Sequence, residues 1–109
     1  MDDAGKKFTV IIQTPATAML VDHVRFLAQV SETAADRLVD EFFAKAKSLE
    51  TMPERCPWLS GYSMPEKKYR KLIFESNYML VFQVCDDTVF IDAVVDCRSE
   101  YQWLLQDSL

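Results

Sequence analysis

The stretch from Tyr69 to Val95 constrains the fold most, because it consists of three apolar segments separated only by short polar breaks. The segments are Tyr69–Phe74, Tyr78–Cys85 and Thr88–Val95. Each is rich in β-branched and aromatic residues, which is typical of strands. The breaks, Glu75-Ser76-Asn77 and Asp86-Asp87, have the lengths and residue types of hairpin loops. The sequence therefore predicts three consecutive strands that pair as an antiparallel meander.

The first part of the chain predicts one strand followed by a helix. Lys7–Gln13 is a short β-branched run that reads as a strand. Thr14-Pro15 follows it. Because Thr is a good N-cap and Pro suits the first helical position, a helix is expected from there to about Val30. Apolar residues recur along it at helical spacing, at Leu20, Val24, Leu27 and Val30.

A second helix is predicted from Ser31, an N-cap candidate followed by Glu32, whose charge suits the helix dipole. This segment has the clearest helical period in the chain. Its apolar stripe consists of Ala35, Leu38, Val39, Phe42, Phe43, Ala46 and Leu49. Because so short a turn joins the two helices, they are expected to form an antiparallel helical hairpin.

A long loop and a final helix complete the predicted layout. Met52–Glu66 holds three of the four prolines and reads as a loop, which Trp58, Leu59 and Tyr62 are expected to pin against the body of the protein. The last helix is expected to start near Arg98.

The predicted order is β-α-α-β-β-β-α in a single α+β domain spanning residues 1–109. The antiparallel helical hairpin should pack on a small, twisted, four-stranded and mostly antiparallel sheet. The first strand is expected to lie beside one of the last three.

Charge and composition narrow the possible partners. The net charge is −5 and the pI about 4.7, so the chain has no long-range attraction for nucleic acid, and phosphate binding would need a local basic patch. No apolar run approaches the roughly 20 residues of a membrane span, and MDDAGKK lacks a signal-peptide pattern, so a cytoplasmic protein is expected. No cofactor is indicated.

The cysteines and the histidine do not form a recognisable site. Cys56, Cys85 and Cys97 are far apart in the sequence and match no zinc motif, so ordinary thiols are expected. His23 lies one position off the apolar stripe of its helix and is expected at the surface or its boundary, not as a ligand or base. Asp86-Asp87 is expected to serve the turn, not a metal ion.

Four stretches of the chain, taken in order, resemble toxins of the RelE/ParE superfamily. They are TPATAMLVDHVRFLAQVS, SLETMPERCPWL, YRKLIFESNYMLVFQVCDDTVFIDAVV and CRSEYQWLL. In that family a Ser/Thr-Pro step opens the first helix and a Phe/Met-Pro step ends the second. A basic strand, a Tyr after the turn, an Asp-rich hairpin and a closing Arg-Arg-Asp-Tyr plus Leu-Leu pattern follow. The ordered set covers nearly the whole chain.

The resemblance implies the toxin of a type II toxin–antitoxin system, with a cognate antitoxin protein as its partner. Such a chain is expected to expose an apolar strip when it is alone, unless it covers that strip by homodimerisation. The mechanism stays open between two branches. RelE-type members cut messenger RNA in the ribosomal A site with basic sheet residues, an arginine and often a tyrosine, which correspond here to Arg70, Arg98 and Tyr101. ParE-type members poison DNA gyrase and lack that set.

Three positions make the chain resemble the ParE branch more closely. Leu72 and Met79 stand where RelE-type nucleases carry a second strand lysine and a strand arginine, and Asp96 stands where many carry histidine. Metal-free RNA cleavage needs a base and cations, and an acid repels a phosphate. The resemblance therefore implies a ParE-like inhibitor that binds a target protein, with DNA gyrase as the target. A ribosome-dependent endoribonuclease and a non-toxic interaction module are the alternatives.

The basic residues near the predicted sheet are the candidate binding residues. Lys67, Lys68, Arg70 and Lys71 form the densest cluster. A solvated strand edge is one explanation of this cluster, since Lys is commonly placed on edge strands to prevent further strand pairing. The resemblance adds a second explanation, in which the cluster binds the target or the antitoxin. Trp103 is expected to be an exposed contact of the same kind. Strand alternation places Arg70 and Lys71 on opposite faces.

The predicted C-terminal helix has its own candidates. Arg98 at a helix start is electrostatically unfavourable, so it is expected either to pair with Asp96 or Glu100 or to be retained for function. Tyr101 is expected in the core together with Leu104 and Leu105.

Overall fold

The computed structural model describes residues 6–60 and 65–98, and these form two helices on one face of a five-stranded sheet. In chain order the elements are β1 (Thr9–Ile12), α1 (Thr14–Ala28), α2 (Glu32–Ser48), β2 (Trp58–Leu59), β3 (Tyr69–Phe74), β4 (Tyr78–Cys85) and β5 (Thr88–Asp96). A short 3-10 turn, Pro53–Arg55, lies between α2 and β2. The α+β class is confirmed. The predicted C-terminal helix, with Tyr101, Leu104 and Leu105, lies outside the described residues.

The sheet has the order β1-β5-β4-β3-β2 and contains the predicted meander. β3, β4 and β5 pair antiparallel, and β1 pairs with β5 in parallel, with Thr9 opposite Thr88. The register of β4 and β5 shifts by one residue, because Val81 lies opposite Ala93 while Phe82 lies opposite Ile91. A bulge of this kind increases the local twist and leaves one residue of β5 without a partner in the ladder.

The sheet has five strands where four were predicted. The additional strand is β2, in which Trp58 lies opposite Arg70 and Leu59 opposite Tyr69. A two-residue strand is too short to show an alternating pattern, so the stretch around it reads as loop. The expectation that this loop is pinned to the body is confirmed at Leu59, which is buried, whereas Tyr62 lies outside the described residues.

The starts of the two helices differ in their capping. The Ser31 hydroxyl accepts a hydrogen bond from the Ala34 N–H (3.1 Å), as predicted for an N-cap. Thr14 is not a cap but the first helical residue, because the preceding Gln13 holds the extended cap position without a side-chain bond. The Gln13 N–H donates to the Ile91 carbonyl (2.9 Å), so strand pairing continues up to the helix and moves its start.

The main core lies between the helical hairpin and the sheet. Phe42 is fully buried, and its ring lies against those of Phe43 and Phe74. Across the sheet it faces a layer formed by Leu80, Phe82, Val89, Ile91 and Val94. Most of the stripe predicted for α2 is buried, but Phe43 at its edge is 54% exposed.

A second cluster lies on the opposite face of the sheet. Its buried members are Leu59, Met79, Val81, Ala93 and Val95. Because β4 contributes to both clusters, five consecutive residues of this strand are buried, a pattern more usual for a central strand covered on both sides.

The predicted position of His23 is wrong, because the ring is buried in the interface between α1 and β5. Its Nε2 lies 2.8 Å from the Val94 carbonyl oxygen, and its ring contacts Tyr78 edge-to-face at 5.4 Å. The face of α1 that is buried runs through Ala16, Leu20 and His23, whereas Val30 is 76% exposed. Val24 and Leu27 of the predicted stripe also pack against the core, and Val30 lies past the end of α1 at Ala28. Neither described helix is long and apolar enough to cross a membrane.

The two residues predicted as caps, Ser31 and Thr14, can be compared directly by removing each side chain. Ser31→Ala should lower the free energy of unfolding by about 1 kcal/mol, because the Ala34 N–H loses its acceptor at the start of α2. Thr14→Ala should change it by less than about 0.5 kcal/mol, since this exposed residue caps nothing. Equilibrium urea denaturation of both variants measures the difference. Equal losses would show that the cap at Ser31 contributes nothing of its own.

Candidate interaction site at the basic end of the sheet

Arg70 is anchored in the protein by contacts on its guanidinium group. Nη1 donates to the carbonyl oxygens of Cys56 (2.7 Å) and Glu54 (3.1 Å), and the group lies 3.7 Å from the centre of the Trp58 ring. These contacts follow from the pairing of Trp58 with Arg70 in β2 and β3. The charge of Arg70 therefore holds the 3-10 turn and β2 against the sheet, through charge-assisted hydrogen bonds and a cation–π contact.

Lys71 lies on the other face of the sheet, as alternation predicted. It is opposite Val81, a member of the second cluster, and it is half-buried. Its positive charge lies near Cys97, where burial and Asp96 raise the pKa of the thiol and Lys71 partly opposes that rise. The structure therefore separates Arg70 from Lys71.

Lys67 and Lys68 are exposed in the turn that leads into β3. Lys67 has a positive φ of 57°, and the Nζ of Lys68 lies 5.2 Å from the centre of the Tyr69 ring. Both ammonium groups are placed at the surface, where charge-reversing substitutions do not disturb the core. The predicted cluster is thus two exposed lysines, one half-buried lysine on the second face and one anchored arginine.

Leu72 and Met79, the two positions at which the nuclease pattern is broken, are apolar packing residues. Leu72 packs against the main core between helices and sheet. Met79 is 3% exposed and belongs to the second cluster. Neither position offers a cation or a base to the surface.

Arg98 is held by the last residue of β5. Asp96, which is 7% exposed, accepts hydrogen bonds from the Arg98 N–H (2.9 Å) and from its Nε (3.4 Å). This hydrogen bond and the carboxylate charge raise the pKa of Arg98 above its ordinary value. The Arg98 side chain remains 59% exposed, so Asp96 orients a solvent-facing cation. The expected pairing with Asp96 is present; Glu100, Tyr101 and Trp103 lie outside the described residues.

Cys56 and Cys97 are poorly suited to nucleophilic chemistry. Burial raises the pKa of Cys56 more than the nearby charges of Arg55 and Arg70 lower it. Burial, and after it the charge of Asp96, raises the pKa of Cys97. Because the thiolate is the reactive form, a raised pKa reduces reactivity near neutral pH.

Metal chemistry finds no support in the described part of the chain, where no group of three or more His, Cys, Asp and Glu side chains could hold an ion. Asp86, the first residue of the β4–β5 turn, has a positive φ of 56°, a conformation that Asp tolerates better than most residues.

Sequence reasoning missed the structural roles of Arg70 and His23. An aromatic residue in a Pro-rich loop, Trp58, indicated a packing contact for that loop. Only the pairing of β2 with β3 identifies Arg70 as the residue that Trp58 contacts. No local signal marked His23, because its acceptor, the Val94 carbonyl, lies 71 positions away in the chain.

Comparison with known proteins places this geometry in context. Residues 10–101 match the family model described as ParE toxin of type II toxin–antitoxin system, parDE. No curated protein matches the chain.

Two solved structures share the fold. One is the chromosomal ParDE toxin–antitoxin system from P. aeruginosa, with 15% sequence identity and a TM-score of 0.64, covering 83% of this chain and 96% of the other. The second is the toxin–antitoxin complex RelBE2 from Mycobacterium tuberculosis, with 23% identity and a TM-score of 0.53, covering 87% and 97%.

The anchoring of Arg70 gives a stability prediction. Arg70→Ala should lower the free energy of unfolding by about 2 kcal/mol, because two carbonyl acceptors and the face of Trp58 lose a charged partner. Lys68→Ala, which removes an exposed cation beside Tyr69, should stay within about 0.5 kcal/mol of the parent. Urea denaturation followed by far-UV circular dichroism measures both. A loss for Lys68→Ala as large as that for Arg70→Ala would contradict the assigned role.

Proposed function

The chain belongs to the ParE family of toxins of type II toxin–antitoxin systems, and from that premise we propose that it inhibits growth by binding a target protein. DNA gyrase is the target that its resemblance to the ParE branch implies. The proposal treats the protein as a binding inhibitor, with no chemical step of its own.

The packing of Leu72 and Met79 against the two apolar clusters is the observation that carries the proposal. Metal-free RNA cleavage requires a base for the 2′-hydroxyl and cations for the phosphate and leaving oxygen. At the two positions where the nuclease pattern expects cations, the chain places side chains that pack in its two clusters. A binding inhibitor has no need of those groups.

The two remaining described cations of the nuclease pattern also fit a binding protein better. Arg70 already donates to two carbonyl oxygens, so it would have to leave Cys56 and Glu54 to reach a phosphate. Arg98 faces solvent beside Asp96, whose charge opposes a phosphate at the same place. A partner protein that presents a backbone carbonyl, which carries no net charge, suits Arg98 without that conflict.

The surface proposed to contact the target combines Lys67, Lys68 and Lys71 with Trp103, which lies outside the described residues. Lys67 and Lys68 are exposed at the start of β3, and Lys71 lies on the second face nearby. On a chain with a net charge of −5, a local basic patch orients the encounter with an acidic partner surface.

A cognate antitoxin is the proposed regulatory partner. Large apolar side chains remain exposed where the two helices join, with Phe26 67% and Val30 76% exposed. An apolar patch of this kind usually marks an interaction surface. An adjacent open reading frame that encodes a DNA-binding head and a charged helical tail would identify the antitoxin. Gyrase and the ribosome are both cytoplasmic, and the proposal places the activity there.

Induced expression with two readouts tests the mechanism. Binding to gyrase should arrest growth and induce the DNA-damage response while messenger RNA stays intact. Co-expression of the adjacent antitoxin should restore growth. Sequencing of messenger RNA ends and a DNA-damage reporter, read in the same cultures, measure the two effects.

Two results of that experiment would contradict the proposal. Codon-phased cleavage of messages on ribosomes that disappears with Arg98→Ala would establish the ribosome-dependent endoribonuclease. Normal growth at matched expression, with neither effect, would indicate a non-toxic relative that keeps the scaffold for its interactions.

Charge reversal tests the proposed contact surface. The double substitution K67E/K68E should raise the inducer concentration needed for growth arrest at least about tenfold. It reverses the charge of the patch, and both side chains are exposed and outside the core. The control is K6E/K7E, which changes the net charge equally at another exposed pair of lysines. Growth curves against inducer, normalised to protein level by immunoblot, give the comparison. Equal losses in both variants would assign the effect to net charge and not to this surface.

A further inference from the structure

The outer edge of β1 has hydrogen-bonding groups that the proposed activity does not use. The Thr9 N–H donates to the Asp87 carbonyl (3.0 Å), and the Gln13 N–H donates to the Ile91 carbonyl (2.9 Å). Strand residues alternate, so Thr9, Ile11 and Gln13 direct their backbone groups toward β5. The intervening residues must direct theirs away from the sheet.

Val10 and Ile12 are those intervening residues, and on the side of β1 away from β5 no described strand pairs with them. Phe8, the preceding outward-facing residue, donates instead to the Glu50 carbonyl after α2 (2.8 Å). Loop backbone thus covers the edge at Phe8, and within residues 6–60 and 65–98 no strand covers it from Val10 to Ile12.

An apolar groove runs along the open edge. It has a volume of about 350 Å³ and lies between β1 and α2, lined by Val10, Ile12, Phe43, Ala46, Lys47 and Glu50. Phe43 is 54% exposed on one side of the edge, and Ile11 is 41% exposed on the other face of the sheet. The edge therefore offers backbone groups between two apolar contact surfaces.

We propose that a second copy of this chain pairs with that edge, β1 against β1 in antiparallel orientation, to form one continuous sheet with two-fold symmetry. The open residues fix the register. Val10 of each copy forms a hydrogen-bonded pair with Ile12 of the other, and the two-fold axis passes between the two Ile11 residues. The two α2 helices then lie on the same side of the joined sheet, with Phe43 beside the seam.

The edge fits a copy of itself because it is self-complementary. Val10 and Ile12 are placed symmetrically about Ile11. Under a two-fold axis, the outward backbone N–H and C=O groups of Val10 in one copy therefore bond to those of Ile12 in the other, and both residues of each copy are paired. The groove is bordered by one cation, Lys47, and one anion, Glu50, so the patch is locally neutral although the chain carries −5. As the salt concentration rises and screens the repulsion between two acidic copies, the dimer with this neutral seam should become tighter. A strand from a basic partner should instead bind more weakly as salt rises.

Sedimentation velocity over a range of protein concentrations tests the dimer in the full-length chain. Ile11→Lys places like charges together at the two-fold axis and should raise the dimer dissociation constant at least about tenfold. Ile73→Lys is the matched control, since Ile73 is a similarly exposed strand isoleucine away from the seam. It should leave the dissociation constant unchanged. Thermal unfolding by circular dichroism checks that both variants are folded.

Cross-linking tests the register independently of variant stability. In the proposed pairing the two Ile11 residues form a non-hydrogen-bonded pair with Cα atoms about 4.5 Å apart, which is within disulfide range. Ile11→Cys, in a background in which Cys85 and Cys97 are replaced by Ser, should form a covalent dimer under oxidised glutathione. Ile73→Cys in the same background should not.

Each other outcome overturns the proposal. A chain that stays monomeric at all concentrations, or a dimer that Ile11→Lys does not weaken and Ile11→Cys does not cross-link, places the interface elsewhere. A monomer whose Val10 and Ile12 amides become protected from hydrogen exchange only when the antitoxin is added assigns the edge to a strand of that partner. These results do not depend on whether the chain binds gyrase.

Discussion

The pairing of β4 with β5 is the constraint on which the rest of the structure depends. β4 contributes Leu80 and Phe82 to the core under the helices and Met79 and Val81 to the cluster on the opposite face. Burial of side chains of this size stabilises a fold by roughly 1.5–3 kcal/mol each relative to exposure. Every other strand takes its place from this pair, since β3 adds to β4 on one side and β1 adds to β5 on the other.

The same packing limits the chemistry that the sheet can display. A strand whose side chains are buried on both faces has few positions at which a cation can be carried without the cost of burying a charge. The candidate cations lie mostly off the buried strands. Lys67 and Lys68 precede β3 at one end of the sheet, and Arg98 follows β5 at the other. Arg70 is tied to carbonyl oxygens, and Lys71 is half-buried on β3. A surface organised in this way suits recognition of another macromolecule more than the close positioning of several charges around one phosphate.

The parts of the fold that local patterns determine were predictable from the sequence. The bounds of β3 and β4 match the predicted segments. β5 ends at Asp96, one residue beyond the predicted Val95, because Asp96 still lies opposite Tyr78. The cap at Ser31 was predictable because its acceptor and donor lie within one helical turn.

The features that escaped prediction depend on contacts between distant parts of the chain. β2 exists because Trp58 and Leu59 meet β3, and Arg70 is anchored for the same reason. His23 is buried because α1 crosses β5 at Val94. The family resemblance supplied the toxin assignment, which residue patterns alone did not contain. The proposed roles of Lys67, Lys68 and Lys71 remain predictions.

The parallel pairing of β1 with β5 also has a consequence for synthesis of the protein on the ribosome. Thr9 leaves the ribosome well before its neighbour Thr88, so the sheet cannot be completed until β5 has been made. Contacts of such long sequence separation form slowly compared with local helices and hairpins. A chain whose translation stops before β5 lacks the partner of β1 and the main support of α1. Translation products that stop before β5 therefore lack the complete sheet of the fold.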